Sequence, residues 1–270
     1  MSAHKLCPSE LYTPGYGDNS VQFMQNRDAR LHAAFFLPHL TQGLSVLDCG
    51  CGPGAITLGL AEAVAPGTAV GIDVESTQID QAEELAHERG IDNARFKVAS
   101  VYELPFDSQS FDRVFCNALM EHLAQPEAAL SEIRRILKPG GLIGVCSPDW
   151  GGFIVSPASR EVEQALAFYR KLLTRNGGDP TIGGKLGGML SSAGYREVSM
   201  SAHYECYESS VRIAEYLAQQ IEAVAADTQG DDAEEMARTD PVLRAKALRD
   251  WAQEAVTLFA QAWVSAVGRR

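Results

Sequence analysis

The residues that decide the fold of this chain are Val46-Leu47-Asp48-Cys49-Gly50-Cys51-Gly52-Pro53-Gly54-Ala55. An apolar run ends at an acidic residue, and a glycine-rich loop then opens a segment with helical periodicity. A strand, a glycine loop and a helix in this order bring backbone N–H groups close to a bound ligand. The stretch therefore predicts that this loop is the binding element of an α/β protein.

The glycine spacing is compatible with two kinds of cofactor. Gly50, Gly52 and Ala55 satisfy the G-x-G-x-x-G/A pattern of dinucleotide-binding proteins. The same loop also suits the G-x-G-x-G pattern that binds S-adenosylmethionine. Asp48 favours the second cofactor, because a carboxylate just before the loop would repel a pyrophosphate and attract the sulfonium and ammonium groups of S-adenosylmethionine.

The composition limits the classes of partner. The chain has 270 residues, of which 46% are hydrophobic, and a net charge of −12. This length allows one large core, or a core with an added lid. The excess of acidic residues argues against binding to nucleic acid and to anionic membrane surfaces, because both kinds of binding require a basic face on the protein. Since there is neither a spanning apolar run nor a secretory signal, we expect a cytoplasmic location. The sequence does not indicate the oligomeric state.

The six cysteines do not predict a metal site or a disulfide framework. Cys49 and Cys51 are spaced C-x-C, and no second pair of cysteines or histidines completes a zinc site. We therefore expect no metal ion, and thiols that are small buried side chains in a reducing compartment.

Short apolar runs and helical patterns alternate after a predicted helix at residues 26–40. The predicted strands are residues 45–48, 69–73, 94–98, 113–116 and 142–146, and the predicted helices between them are residues 55–65, 76–89 and 126–137. This alternation predicts a Rossmann-like, doubly wound α/β sheet that is mostly parallel. The ligand is then expected beyond the carboxyl ends of the strands.

The second half of the chain has a different order of predicted helices and strands. It predicts a loop at 147–153, helices at 161–175, 185–192, 211–226 and 241–254, and a strand at 195–207. We predict that residues 259–268 form one antiparallel C-terminal strand, because the strand at 195–207 would otherwise leave a long edge exposed. The expected organisation is a helical cover over 1–40, a cofactor-binding core over 41–207 with an inserted helix at 157–176, a helical lid over 208–257, and the final core strand over 258–270.

Further motifs follow the glycine loop in series. They are Leu104-Pro105-Phe106, Ser110-Phe111-Asp112-Arg113-Val114, Met120-Glu121-His122-Leu123 and Leu137-Lys138-Pro139-Gly140-Gly141. Together with residues 48–54, this series resembles the class I S-adenosylmethionine-dependent methyltransferases, in particular the group that includes the ubiquinone and menaquinone biosynthesis enzymes. The resemblance covers about residues 40–147, and the rest of the chain is similar only in general plan.

The resemblance implies that the cofactor is S-adenosyl-L-methionine, which becomes S-adenosyl-L-homocysteine. The positions that match cofactor-binding residues of the family are Asp48, Gly50, Gly52, Asp73, Val74, Ser100, Val101 and Asn117. Among these, Asp73 matches the acid that binds the ribose and Val74 the residue that packs on the adenine. The family generally has an aspartate in place of Ser100, whose hydroxyl binds the adenine amino group more weakly.

Candidate residues also exist outside those motifs. Arg27 is predicted to reach the carboxylate of the cofactor. The predicted contacts to the acceptor are Tyr16, Phe23 and Trp150. His122 matches a histidine that is frequent near the methyl-transfer centre. His122 and Asp149 are the candidate bases, because both follow strand ends that face the expected cleft, and a base is needed only if the acceptor arrives protonated.

The predicted function is methyl transfer to an oxygen, nitrogen or carbon atom of a small apolar or aromatic molecule beneath the lid. Two alternatives stay open. Ser100 allows a catalytically silent protein of the same fold that only binds the cofactor. A nicotinamide-dependent oxidoreductase is less favoured, because Asp48 and the motifs after residue 100 argue against it.

Overall fold

A seven-stranded sheet forms the centre of the computed structural model, which describes residues 11–17, 24–207, 210–226 and 240–270. The strands are β1 (Ser45–Cys49), β2 (Thr68–Asp73), β3 (Ala94–Val98), β4 (Phe111–Asn117), β5 (Leu137–Ser156), β6 (Arg196–Cys206) and β7 (Leu258–Arg269). Their spatial order is β3-β2-β1-β4-β5-β7-β6. Strands β1 to β5 pair in parallel, and β7 is antiparallel to both β5 and β6. This confirms the predicted Rossmann-like sheet with one antiparallel C-terminal strand.

The helices connect these strands and cover the sheet. They are α1 (Ala29–His32), α2 (Ala55–Val64), α3 (Ser76–Arg89), α4 (Pro126–Ile136), α5 (Arg160–Arg175), α6 (Leu186–Ser192), α7 (Ser210–Ala226) and α8 (Pro241–Ala252), with short 3₁₀ helices at Leu37–His39, Met120–His122 and Ile182–Lys185. No helix of the described ranges has the length and apolar character needed to cross a membrane.

Both faces of the parallel strands are buried. Leu47 of β1 packs with α4 and α6 on one face, whereas its neighbour Val46 packs with α1, α2 and α3 on the other. Val114 and Phe115 of β4 divide between the same two clusters. Because successive side chains of a strand point to opposite faces, apolar residues in sequence require two covering layers. The core is therefore a sheet between two helical layers, and the strand ends stay open for a ligand.

A third apolar cluster lies beyond the parallel strands. Helices α5, α7 and α8 contribute Tyr169, Leu217 and Trp251, which pack with Trp150 of β5 and Phe259 of β7. The hydroxyl of Ser159 caps α5 by accepting a hydrogen bond from the N–H of Val162 at 3.2 Å. The three helices thus pack on the outer halves of β5 and β7.

The predicted helix at 26–40 is wrong over most of its length. The segment forms only α1 and the 3₁₀ helix Leu37–His39. Pro38 has no backbone N–H and favours the start of a helix over its interior. Phe36, two residues before Pro38, is fully buried, and a Cβ on Gly144 would overlap its ring. Packing of Phe36 against β5 therefore competes with continuous helical geometry.

The predicted loop at 147–153 is also wrong, because β5 continues to Ser156. Ser147, Pro148 and Asp149 pair with Val264, Trp263 and Ala262 of β7. Parallel pairing of β5 with β4 ends at Cys146. Pro148, two residues later, has no backbone N–H, but at this position the strand no longer needs a donor toward β4. The register shifts between Asp149 and Phe153, where two glycines lie. Strand β7, which is distant in sequence, supplies the pairing partners for residues 147–156, and the local sequence does not reveal them.

Candidate active site

A cavity of about 830 Å³, open to solvent, lies at the carboxyl ends of the parallel strands. We call it the strand-end cavity. The sequence-predicted residues that line it are Arg27, Gly50, Gly52, Asp73, Val74, Ser100, Val101, Asn117, His122 and Tyr16. Apart from Arg27 and Tyr16, which precede β1, they lie at or after the ends of β1, β2, β3 and β4, because parallel strands end at the same edge of a sheet.

The glycine loop is held in its shape by β2. The N–H groups of Gly50 and Cys51 both donate to the carbonyl of Ile72, at 2.8 and 2.9 Å. Gly50, Gly52 and Gly54 have positive φ angles of 72°, 52° and 84°, which favour glycine. The loop thus leads from β1 to the start of α2 with its backbone close to the strand-end cavity.

Asp73 links the glycine loop to the end of β2. Its Oδ2 accepts a hydrogen bond from the N–H of Gly52, and its Oδ1 accepts one from Glu75, both at 3.0 Å. Burial raises the pKa of Asp73, and these backbone hydrogen bonds oppose the shift. Each carboxylate oxygen has a further lone pair. Asp73 can therefore accept hydroxyl donors of a ligand, such as those of a ribose, from a fixed position.

Asp48 lies deeper, at the end of β1. Its Oδ2 accepts a hydrogen bond from Thr57 Oγ1 at 2.6 Å, and burial raises its pKa to about 7. It lines a smaller adjoining cavity of about 340 Å³ together with Arg27 and Asn117. An acid and a guanidinium in one cavity complement the ammonium and the carboxylate of an amino-acid moiety.

Two buried amides beside these cavities support a polar ligand. The amide nitrogen and oxygen of both Asn117 and Gln78 have no hydrogen-bond partner among the described residues. Both residues line the strand-end cavity, and Gln78 is fully buried. A buried amide without partners is costly, and such groups are normally satisfied. The residues present therefore fit a cofactor with several hydrogen-bonding groups, as S-adenosylmethionine has.

A second cavity, of about 520 Å³ with its opening to solvent included, adjoins the first, and aromatic side chains form a large part of its walls. We call it the aromatic chamber. The two cavities share Tyr12, Met24, Arg27, Ala118 and His122. The aromatic residues of its walls are Tyr12, Trp150, Tyr169, Tyr207, Tyr216 and Trp263. Because these residues come from segments far apart in the chain, the sequence did not identify Tyr169, Tyr207, Tyr216 and Trp263 as candidates.

His122 lies where the two cavities meet, and its neighbour Glu121 lines the aromatic chamber. Glu121 is 1% exposed, and its Oε2 accepts a hydrogen bond from Ser147 Oγ at 2.9 Å. Its Oε1 lies 3.7 Å from Nε2 of His122, whose ring contacts that of Tyr12 edge-on with centroids 4.8 Å apart. Burial raises the pKa of Glu121 to about 7 and lowers that of His122 to about 3.

A family model described as a methyltransferase domain matches residues 40–194 of this chain. The chain belongs to this methyltransferase domain family. The predicted family and enzyme class are thereby confirmed at the level of the family.

Individual relatives agree with this assignment. An uncharacterised methyltransferase of Schizosaccharomyces pombe is 31% identical over 183 residues, which cover 65% of this chain and 66% of that protein. A demethylmenaquinone methyltransferase of Lactococcus lactis is 36% identical over 105 residues, or 38% of this chain and 41% of that protein. The chain covers between 44% and 66% of the length of three curated relatives that it matches.

A solved structure shares the fold. Phosphoethanolamine N-methyltransferase 2 of Haemonchus contortus, in complex with S-adenosyl-L-methionine, superimposes with a TM-score of 0.52 at 18% identity. The similarity covers 85% of this chain and 49% of that one. At this identity it shows a common architecture, in agreement with the sheet order described above.

Several predicted positions of this methyltransferase-family chain need correction or lie outside the structure. Phe23 is outside the described residues. Tyr16 lines the strand-end cavity and stacks on Tyr12, with ring centroids 5.1 Å apart, and Trp150 lines the aromatic chamber. His122 occupies the junction, but its low pKa leaves its imidazole neutral and weakly basic, which is at odds with a role as the proton acceptor.

Asp149 is not brought to the site. It lines neither the strand-end cavity nor the aromatic chamber. Its Oδ1 accepts a hydrogen bond from the N–H of Gly151 at 2.8 Å, and its Oδ2 accepts one from Gly184 at 3.1 Å. The carboxylate thus ties the bend in β5 to the 3₁₀ helix Ile182–Lys185, and this geometry is at odds with its prediction as a base.

Asp149→Asn tests this structural assignment. The asparagine nitrogen would face one of the two N–H donors, so we expect the free energy of unfolding to fall by about 1 kcal/mol. The affinity for S-adenosylhomocysteine and the turnover should stay within about twofold of wild type, measured by calorimetry and by product formation. A tenfold loss of turnover at unchanged stability would restore Asp149 as a catalytic residue.

The raised pKa of Asp48 predicts that the affinity for the cationic cofactor depends on pH. Burial raises its pKa to about 7, so the carboxyl is mostly protonated below that pH and charged above it. The charged form attracts the ammonium and sulfonium groups, and the affinity for S-adenosylmethionine should therefore rise about 20-fold between about pH 5.5 and 7.5. Calorimetric titrations at several pH values measure this, and Asp48→Asn should flatten the curve. An equally steep curve in that variant would assign the dependence to another group.

Proposed function

We propose that this protein transfers a methyl group from S-adenosyl-L-methionine to a small apolar or aromatic acceptor. The observation that carries the proposal is the junction at His122, where the aromatic chamber adjoins the strand-end cavity, which contains Asp73, Asn117 and Arg27. The net charge of −12 supports a small molecule over nucleic acid as the acceptor.

The chain's own residues hold the cofactor in this proposal. Asp73 accepts the ribose hydroxyls, and the backbone of Gly50 and Gly52 surrounds the methionine part. Arg27 and Asp48 bind its carboxylate and ammonium groups, and the unpaired amide of Asn117 binds beside them. Val74, Ser100 and Val101 border the adenine. Ser100 Oγ already accepts a hydrogen bond from the N–H of Tyr102 at 3.3 Å, and its own O–H is a donor.

Alignment and exclusion of water are the main tasks of the protein. The bound cofactor supplies a methyl group that is already activated by the sulfonium, so the residues around it need chiefly to orient the acceptor. We assign residues 1–40 as the N-terminal cover, 41–207 as the core, 208–257 as the lid and 258–270 as the final strand. Helices α5 and α7 supply Tyr169 and Tyr216 to the chamber, and α8 packs on these two helices, so that the three together shield the chamber from water.

Calorimetric binding of S-adenosylhomocysteine and of NADH tests the cofactor. Binding of the first without the second is expected, and binding of NADH alone would contradict the proposal in favour of an oxidoreductase. Formation of S-adenosylhomocysteine from S-adenosylmethionine is then measured with a panel of phenols, thiols, amines and apolar carbon acceptors.

The second candidate is a protein of the same fold that binds the cofactor without turnover, and Ser100 in the position of an aspartate favours it. Tight binding of S-adenosylhomocysteine with no product from any acceptor would support this alternative.

A further inference from the structure

The aromatic chamber contains the buried carboxylate of Glu121, which has no role in binding the cofactor in the proposed function. This inference rests on the proposed function and concerns its acceptor. We propose that the acceptor is a planar aromatic molecule with an ionisable hydroxyl, and that Glu121 takes the proton of this hydroxyl while the methyl group is transferred to its oxygen.

The first argument is the position of Glu121. The residue belongs to the 3₁₀ helix Met120–His122, which follows β4 directly, and it lines the aromatic chamber. Among the described residues its carboxylate forms no ion pair with a lysine or an arginine, and its neighbours are the hydroxyl of Ser147 and the ring of His122. Burial of a carboxylate without a cationic partner is expensive, and such groups concentrate at functional sites.

The second argument is the protonation of the pair. Burial raises the pKa of Glu121 to about 7, against the lowering effects of the Ser147 hydrogen bond and the charge of Arg27. A base is most effective when its pKa lies near the working pH. His122 stays neutral at that pH, so its imidazole acts as a positioning residue that can hydrogen-bond the acceptor. The titratable groups that face Glu121 or its near neighbours are Arg27, His122, Cys146, Tyr169 and Tyr216.

The third argument is the combination of charges around the chamber. The guanidinium of Arg27 lies 5.6 Å from the centroid of the Trp263 ring and lines both cavities. This guanidinium, which the proposed function pairs with the cofactor carboxylate, leaves no unpaired acid for an ammonium acceptor on that side of the chamber. The carboxylate of Glu121 disfavours an acidic acceptor. A neutral hydroxyl that loses its proton during the reaction satisfies both groups.

The fourth argument is the shape of the acceptor. Six aromatic side chains line the chamber, and Trp150 and Tyr169 meet edge-on with centroids 4.7 Å apart. Aromatic walls bind flat rings through stacked and edge-on contacts. The chamber therefore selects the ring, and the Glu121–His122 pair selects its hydroxyl.

The proposed step is balanced. The acceptor oxygen forms a bond to the methyl carbon as the bond from this carbon to sulfur breaks, and the electron pair of that bond stays on sulfur. The hydroxyl proton moves to the Glu121 carboxylate, which later releases it to solvent. The step consumes no oxidant or reductant.

Three probes with the same ring test the acceptor class: 2-naphthol, 2-naphthylmethylamine and 2-naphthoic acid. Their binding is measured by calorimetry on the full chain saturated with S-adenosylhomocysteine, and their methylation by product formation. We expect 2-naphthol to bind about tenfold more tightly than the cationic and anionic probes, and to be the one that is methylated. Preference for either charged probe, or binding of 2-naphthol without methylation, would overturn the inference.

Glu121→Gln tests the proton acceptor. We expect kcat for 2-naphthol to fall about 100-fold, with the probe affinity within about threefold of wild type. Wild-type kcat should rise with pH through about 7 as Glu121 loses its proton, and this step should vanish in the variant. Glu83→Gln, an exposed position on α3, is the matched control and should leave both quantities unchanged. A kcat within threefold of wild type in folded Glu121→Gln would contradict the role.

Ser147→Ala is a second variant that tests the role of Glu121 if Glu121→Gln does not fold. It removes the hydrogen bond that lowers the pKa of Glu121, so the pH step should move upward. An unmoved step would count against Glu121. Failure of the protein to bind S-adenosylhomocysteine would instead contradict the proposed function itself, which distinguishes the two failures.

Discussion

Replacement of Asp73 by asparagine is expected to weaken the binding of S-adenosylhomocysteine about 100-fold. The carboxylate is fixed at the end of β2 by the N–H groups of Gly52 and Glu75, and its remaining lone pairs are available to the ribose. An asparagine removes the charge and turns one acceptor into a donor, so two charge-assisted hydrogen bonds are lost or weakened. Isothermal titration calorimetry measures the change.

Asp112→Asn is the control for this substitution. Asp112 lies at the opposite end of the sheet, where its carboxylate accepts hydrogen bonds from Ser45 and Lys138. Its replacement should lower stability and leave the affinity for S-adenosylhomocysteine within about twofold. An Asp73→Asn protein that melts like wild type and binds the ligand with unchanged affinity would show that Asp73 serves only to shape the glycine loop.

The second large effect is expected from Gly54→Val. Gly54 has a φ of 84°, and a Cβ at this position would lie 2.7 Å from Cβ of Ala82 on α3. A β-branched residue therefore adds backbone strain of about 1–3 kcal/mol and an overlap of similar cost. We expect the free energy of unfolding to fall by about 2–6 kcal/mol, measured by denaturant titration.

Gly90→Val separates the two causes. Gly90 also has a positive φ, 64°, but no atom lies within 4 Å of the position of an added Cβ. Its replacement should cost only about 1–3 kcal/mol, which is the strain of the left-handed conformation alone. Equal losses in the two variants would mean that contact with Ala82 contributes nothing.

The parallel half of the fold is encoded locally, and this explains why it could be predicted. The runs at β1, β2 and β4 are apolar because they are buried on both faces, and the glycine loop after β1 has its own signature. Asp73, Asn117 and the glycines follow strand ends, so the topology alone brings them to one cavity. These features need no information from distant segments.

The rest of the site depends on contacts that the sequence does not display. The extension of β5 exists because β7, more than 100 residues later, pairs with it. Asp149 is a carboxylate after a predicted strand end, and only its bonds to Gly151 and Gly184 reveal a structural task. Glu121 was visible beside His122 in the motif, but the burial that sets its pKa arises from tertiary packing.

Strand β5 also fixes the distance between the strand-end cavity and the aromatic chamber. It runs from the parallel sheet, where Cys146 pairs beside Asn117, through Ser147 beneath Glu121, to Trp150 in the chamber wall, and its register with β7 shifts only after Asp149. Four residues, about 13 Å of extended chain, lead from Cys146 to Trp150. In the proposed reaction the strand therefore keeps the donor site and the acceptor site at a fixed separation. Because the other chamber walls come from separate segments, among them helices α5 and α7 and strand β7, those walls can change in evolution while this separation is preserved.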